Sequence, residues 1–236
     1  MAIRPSAAPL RQPHFYRVAA LLAIAVMVAG FAPSFYLKHW FHKPPALTLL
    51  LVVHGVVMTA WLVLFLVQAQ LGSMRNLRMH RRLGVAGIVL AAAVFVAGTT
   101  VAITGARLGH SPGPPPLQFL AIPLMDMVVF AILAGSALHF RRRTDIHKRL
   151  MLLAAVGILT AAVARTPLVG NNILLAFGTT LTIALGCVGW DTWTHRRLHP
   201  AFGWGFALLA VSWPLRLWLS GTAGWLAVAR WLTGAG

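Results

Sequence analysis

Residues His54–Gly84 read HGVVMTAWLVLFLVQAQLGSMRNLRMHRRLG. From Gly55 to Leu71 the stretch carries no charge, and with the apolar residues before it the run is long enough to cross a hydrocarbon layer of ~30 Å as one helix. A short turn bearing Arg75, Arg78, Arg81 and Arg82 follows, and HRRLG opens the next apolar run. A membrane helix, a basic turn and a second helix is therefore the unit of this chain, with one histidine, His54, embedded in the first helix.

The rest of the sequence has the same character. It is 59% hydrophobic and 10% charged, with a mean hydropathy of +0.79, too apolar for a soluble domain with a polar surface. The fold class expected is all-α, a polytopic bundle in a single transmembrane domain. Seven spans are expected, at about 18–36, 46–71, 83–104, 117–140, 149–164, 172–192 and 201–220. The segments are continuous apolar runs, which excludes the alternating pattern of a membrane β-barrel. The run from Val18 is too long for the core of a cleaved signal peptide and stands as an uncleaved first span.

The net charge of +17 suggests nucleic acid, but the cations sit between apolar runs and form no soluble basic face. They read instead as orientation signals. Arg4, Arg11 and Arg17, then Arg75, Arg78, Arg81 and Arg82, then Arg141, Arg142, Arg143, Lys148 and Arg149, then Arg196 and Arg197 all fall on one side. Lys38, Lys43, Arg107, Arg165, Arg216 and Arg230 fall on the other. The expected topology places the N-terminus in the cytoplasm and the C-terminus outside, with the basic turns against anionic lipids of the inner leaflet. KHWFHKPP and GARLGHSPGPPP are outer loops rich in helix breakers. GTAGWLAVARWLTG, too short to span, suits a short interfacial helix. Cys187 is the one cysteine, so no intramolecular disulfide forms.

His80-Arg-Arg-Leu, His147-Lys-Arg-Leu and His195-Arg-Arg-Leu recur at the basic turns, each expected to open a helix. They read either as positive-inside stops or as a cytoplasmic histidine cluster together with His139. Gly178, Thr182 and Gly186, and Gly87 with Ala91, have the spacing that lets helices approach closely.

Polar residues inside the spans mark the candidate site. His54 lies ~12 Å below the outer end of its helix, sharing a face with Met58, Trp61, Phe65 and Gln68. Asp126, read as the only acidic residue within a span, falls at a similar depth. Arg165, Arg216, Asn171 and Asn172 come up near the outer boundary. One reading is a structural Asp–Arg pair with a core histidine and a snorkelling arginine. The other is an outward-opening pocket of His54, Gln68, Asp126, Arg165, Asn172 and Arg216, whose surplus positive charge suits an anionic group. Haem b is one candidate, its propionates on the arginines and His54 on the iron, with Met125, Met127 or His110 as second ligand. Met58 projects from the same face as His54 and cannot reach the far side of a macrocycle. Copper through His39, His42, His54, Met58, Met125 and Met127 is another, and a quinone or lipid a third. No nucleophile elbow, HExxH motif, P-loop or paired carboxylates are present.

The motifs HGxxMxxWxxLxxxQ (54–68), HRRLGVAG (80–87) and DIHKRLMLLA (145–154), with Arg165 beyond, resemble a bacterial family of uncharacterised multi-span membrane proteins over about residues 31–200. The resemblance implies a helical bundle in the bacterial inner membrane with His54, Gln68, His80, His147 and Arg165 at motif positions, and no activity. The expected function is that of a non-catalytic carrier, sensor or assembly subunit with a polar ligand pocket in its outer half, with another membrane protein or a second copy as partner. The alternative is a haem- or quinone-linked redox protein using His54.

Overall fold

A computed structural model describes residues 14–42 and 46–234, so Arg4, Arg11 and Lys43 among the expected orientation charges lie outside the described residues. The described chain is helical throughout, with no strand among the described residues. Its helices are α1 (Phe15–Phe31), α2 (Lys38–Phe41), α3 (Leu49–Ser73), α4 (Leu77–Arg107), α5 (Pro116–Phe119), α6 (Ala121–His139), α7 (Thr144–Gly157), α8 (Thr160–Ala164), α9 (Ile173–His195), α10 (Pro200–Ser220) and α11 (Ala223–Thr233). Seven segments among the described residues are long and apolar enough to cross a membrane: Phe15–Tyr36, Leu49–Ser73, Leu77–Arg107, Pro116–His139, Thr144–Ala164, Ile173–His195 and Pro200–Ser220. This is a polytopic membrane protein.

The helix ends follow from local chemistry. Thr48, Asn76, Asn172 and Thr222 each accept a bond from a backbone N–H in the first turn of α3, α4, α9 and α11, satisfying donors that the helix itself leaves free. Pro200 opens α10, where its missing N–H costs nothing. Within the first span Pro33 sits in a π-helical turn, Ala32–Tyr36, that continues α1 and relieves the clash a proline makes with the preceding turn.

Two expectations about boundaries are corrected. The fifth span begins at Thr144, not Arg149, and divides into α7 and α8 around Ile158 and Leu159. Arg149 is consequently a buried residue of that helix and not a charge at its mouth. The third histidine motif does not open a helix. His195 is the last residue of α9 and Arg196 turns left-handed at φ 55°. Pro200 sets the next start, since the residue before a proline avoids helical conformation and His199 is extended.

The core is centred on α7, where Leu150, Leu152, Leu153 and Ala155 are fully buried between α6, α9 and α10. Large side chains such as Leu22, Val89 and Trp218 point outward from the bundle, as lipid-facing positions do. Of the glycines the spacing suggests, Gly87 packs against Leu64 of α3, but the tightest approaches are at others. Gly178 and Gly186 face open space, whereas a Cβ on Gly30 would stand 2.7 and 2.8 Å from the backbone C and Cα of Ala162 in α8. Backbone cannot yield as a side chain can, so Gly30→Val should cost about 1–3 kcal/mol through overpacking. Gly178→Val should stay within about 0.5 kcal/mol. Unfolding of the two variants in mixed detergent micelles, followed by tryptophan fluorescence, makes the comparison.

Candidate functional site

The described ends of the bundle carry different polar chemistry. At the end where α3, α6 and α9 finish and α4, α7 and α10 begin, Arg149 makes a two-pronged bond to Asp191. Nε donates to Oδ2 and Nη2 to Oδ1, each at 2.9 Å, and Nη1 donates to the Asp145 carbonyl at 2.9 Å. Side-chain exposure is 4% for Arg149 and 1% for Asp191, so the pair is sealed from solvent. Asp126 is therefore not the only acid within a span. His195 Nδ1 stands 3.4 Å from Asp191 Oδ1, and His199 Nε2 bonds Asp145 Oδ2 at 3.1 Å. The Tyr16 ring lies under Lys148 at 5.3 Å, and its hydroxyl is buried with no hydrogen-bond partner.

Beside this network His80 and His147 meet, with ring centres 6.3 Å apart and planes at 86°. Each is the fourth residue of its helix, α4 or α7, and both helices pack on α6. Gln68 holds His80 through two bonds, its main-chain carbonyl facing the ring's Nδ1 at 3.3 Å and its side-chain amide donating to the His80 main-chain carbonyl at 3.1 Å. Gln68 is thus placed at the basic end and not in an outer pocket. Ala137 O faces His147 Nδ1 at 2.8 Å. His195 belongs to the Asp191 network, while His139 packs edge-on against Phe140. The two copies of the motif that open helices therefore converge, and the third does not join them.

At the opposite end the expected members of one chamber fall into two sets, with no recorded contact joining them among the described residues. In the first, Arg216 reaches from α10 to Asp126 on α6, with Nη1 donating to the carboxylate and, at 3.5 Å, to Ile122 O. Its Nε and Nη2 donate to Ser212 O and Ser212 Oγ at 3.1 and 2.9 Å, and the guanidinium covers the Phe177 ring at 5.2 Å. Arg216 is 1% exposed. Four of its five donors are spent on protein groups, so its charge is already neutralised by the chain. The Asp–Arg pair was legible as a type of contact, but the sequence did not say which arginine would make it.

In the second set His54 on α3 lies beside the Ala97 carbonyl of α4 and within electrostatic reach of Arg165, and its Nδ1 is buried with no hydrogen-bond partner. Arg165 is exposed, stacks 4.9 Å over Phe31 of α1, and donates to Ala161 O at 2.7 Å. One further α3 donor on the His54 side, Trp61 Nε1, is also buried without a partner. Asn172 is occupied as the cap of α9.

Among the described residues no recorded contact joins His54 to its proposed metal partners. Met127 packs against Gly98, Met125 lines an apolar cavity between α4, α6 and α11, and His110 is exposed in a loop. His39 and His42 lie 5.9 Å apart on the surface, with His42 Nδ1 facing Trp40 O. Among the described residues no three His, Cys, Asp or Glu side chains gather as a metal cluster. That cavity measures about 240 Å³, and its wall includes Phe95, Thr99, Leu124 and Trp225. Trp225 is fixed there by donating to Leu117 O at 2.8 Å.

Among the described residues, the end opposite the basic turns thus holds Arg165, bound to no carboxylate, and His54 Nδ1, buried without a hydrogen-bond partner. No protein-family model, curated protein or solved structure matches the chain.

Proposed function

We propose that the protein resides in a bacterial inner membrane, N-terminus in the cytoplasm, and binds a small amphiphile whose head group carries a hydroxyl or carboxyl group, able to donate to the lone pair on His54 Nδ1 and to accept from Arg165. It would act as a carrier, sensor or assembly subunit without catalysing a reaction. The site would lie among α1, α3, α4 and α8, between Arg165 at the end of α8 and His54 on α3.

One observation carries this reading: a buried histidine nitrogen with no partner, within electrostatic reach of an arginine not bound to any carboxylate. An unsatisfied polar group in a membrane interior is costly, and a ligand hydroxyl or carboxyl that donates its hydrogen to the imidazole nitrogen and accepts from the guanidinium removes that cost. Arg216 and Asp126 play no part, since they complete one another.

Thermal unfolding of the detergent-purified protein tests the proposal, with a short-chain ubiquinol analogue and a medium-chain fatty acid as probes. A ligand present at a hundred times its Kd should stabilise the protein by about 2.7 kcal/mol. That gain should vanish in Arg165→Gln and His54→Ala while their unliganded unfolding changes little. If neither head group stabilises the wild type, or both variants respond fully, there is no binding site between these residues.

A further inference from the structure

The histidine pair at the basic end is outside the proposed ligand site and has a chemistry of its own. A carbonyl oxygen can only accept, so Nδ1 of His80, facing Gln68 O, and Nδ1 of His147, facing Ala137 O, both carry the hydrogen. In the neutral ring the proton is then on Nδ1 and the lone pair on Nε2. No partner is recorded for either Nε2 among the described residues. An imidazole fixed by Nδ1–H to a main-chain carbonyl, with Nε2 open, is the arrangement by which proteins orient histidine toward a metal.

The spacing fits the same chemistry. A metal held in line between two imidazole Nε2 atoms, about 2.0–2.1 Å from each, sets the ring centres roughly 6.3 Å apart. The observed separation is 6.3 Å, with the planes nearly perpendicular at 86°. Both rings sit in the first turn of helices anchored on α6, and Gln68 grips His80 at two points. The pair is therefore held in place and does not depend on long flexible side chains.

We propose that His80 and His147 are opposing ligands of a transition-metal centre at the basic end of the bundle, each through Nε2. Two neutral imidazoles favour a borderline or soft metal over magnesium or calcium. The neighbouring turns carry Arg81, Arg82, Arg141, Arg142 and Arg143, a field that repels a bare dication. A monovalent ion such as Cu(I), or iron brought in by a macrocycle with its own carboxylates, suits that field. The carboxylates would have arginines to meet. The two sources share the same pair of Nε2 bonds.

The purified full chain in lipid nanodiscs is titrated with ferric haemin and, separately, with Cu(I). Haemin should give a six-coordinate low-spin spectrum if it is the source, and Cu(I) should bind one per chain if a bare ion is. Either result supports the centre and identifies the metal's form. His80→Ala and His147→Ala should each weaken binding at least tenfold, and with haemin should leave a high-spin species. Loss of fold is separated from loss of ligand by His147→Gly, in which added imidazole should restore the wild-type binding signal. The proposal is overturned if neither probe binds the wild type, or if the His80→Ala/His147→Ala double variant binds as tightly as the wild type.

Discussion

Asp191→Ala should destabilise the bundle by about 3–5 kcal/mol, because it strands a buried guanidinium without a counter-charge. Arg149 has no alternative acid: Asp145 offers it only a main-chain carbonyl, and the Asp145 side chain is engaged with His199. With a side-chain exposure of 4% it has no route to water by a small rotation either. The loss should appear in mixed-micelle unfolding as a shifted midpoint with unchanged steepness. The double replacement Arg149→Met with Asp191→Leu removes both charges and should regain most of it, since a well-packed apolar pair often matches a buried ion pair. If the single variant changes stability by less than about 1 kcal/mol, the pair is hydrated in the membrane and the account of a sealed bond fails. The pair ties α7 to α9 across the bundle, so the expected loss is global and not confined to the basic turns.

That contact also shows where the sequence stops being readable. Span number and type are local properties: uninterrupted apolar length announces each of the seven segments, and Thr48, Asn76 and Pro200 announce several of their ends. Arg149 adjoins a run of cations whose other members are topogenic in pattern, and nothing local distinguishes the one that turns inward. A compositional signal was present, however. The chain has only three acidic residues, and the two shielded from water each need a partner. The structure supplies Arg216 to Asp126 and Arg149 to Asp191, while the exposed Asp145 meets His199. The histidine repeat was legible as a repeat, but its first two copies meet only because α4 and α7 flank α6. Small-residue spacing held at Gly87, which meets Leu64 of α3, and misled at the other stripe. A stripe such as Gly178–Gly186 permits close approach without requiring it, and a backbone-tight crossing is instead at Gly30, which has no partner in the pattern.

Asp126→Ala should have an effect of the same order, about 3–5 kcal/mol, and it decides what the polar residues at the end opposite the basic turns are for. If Asp126 and Arg216 were ligand-binding groups held ready for a guest, removing the carboxylate would alter binding and leave folding nearly intact. The geometry requires otherwise. Arg216 donates to Asp126, Ile122 and Ser212 and lies against Phe177, all within the protein. Without Asp126 a full positive charge remains among apolar helices, where a charged side chain costs at least about 2.5–3.5 kcal/mol. Asp126→Asn keeps an oxygen acceptor but not the charge and should fall between the alanine variant and the wild type. Ser212→Ala removes neutral acceptance only and should cost about 1 kcal/mol. The yield of monodisperse protein and the unfolding midpoint, measured for all three variants, should rank alanine, then asparagine, then the serine replacement in decreasing severity. A stable, monodisperse Asp126→Ala protein would break that ranking. It would mean that Arg216 can be left to an outside anion, and the pair would then belong with Arg165 and His54 in a single binding chamber.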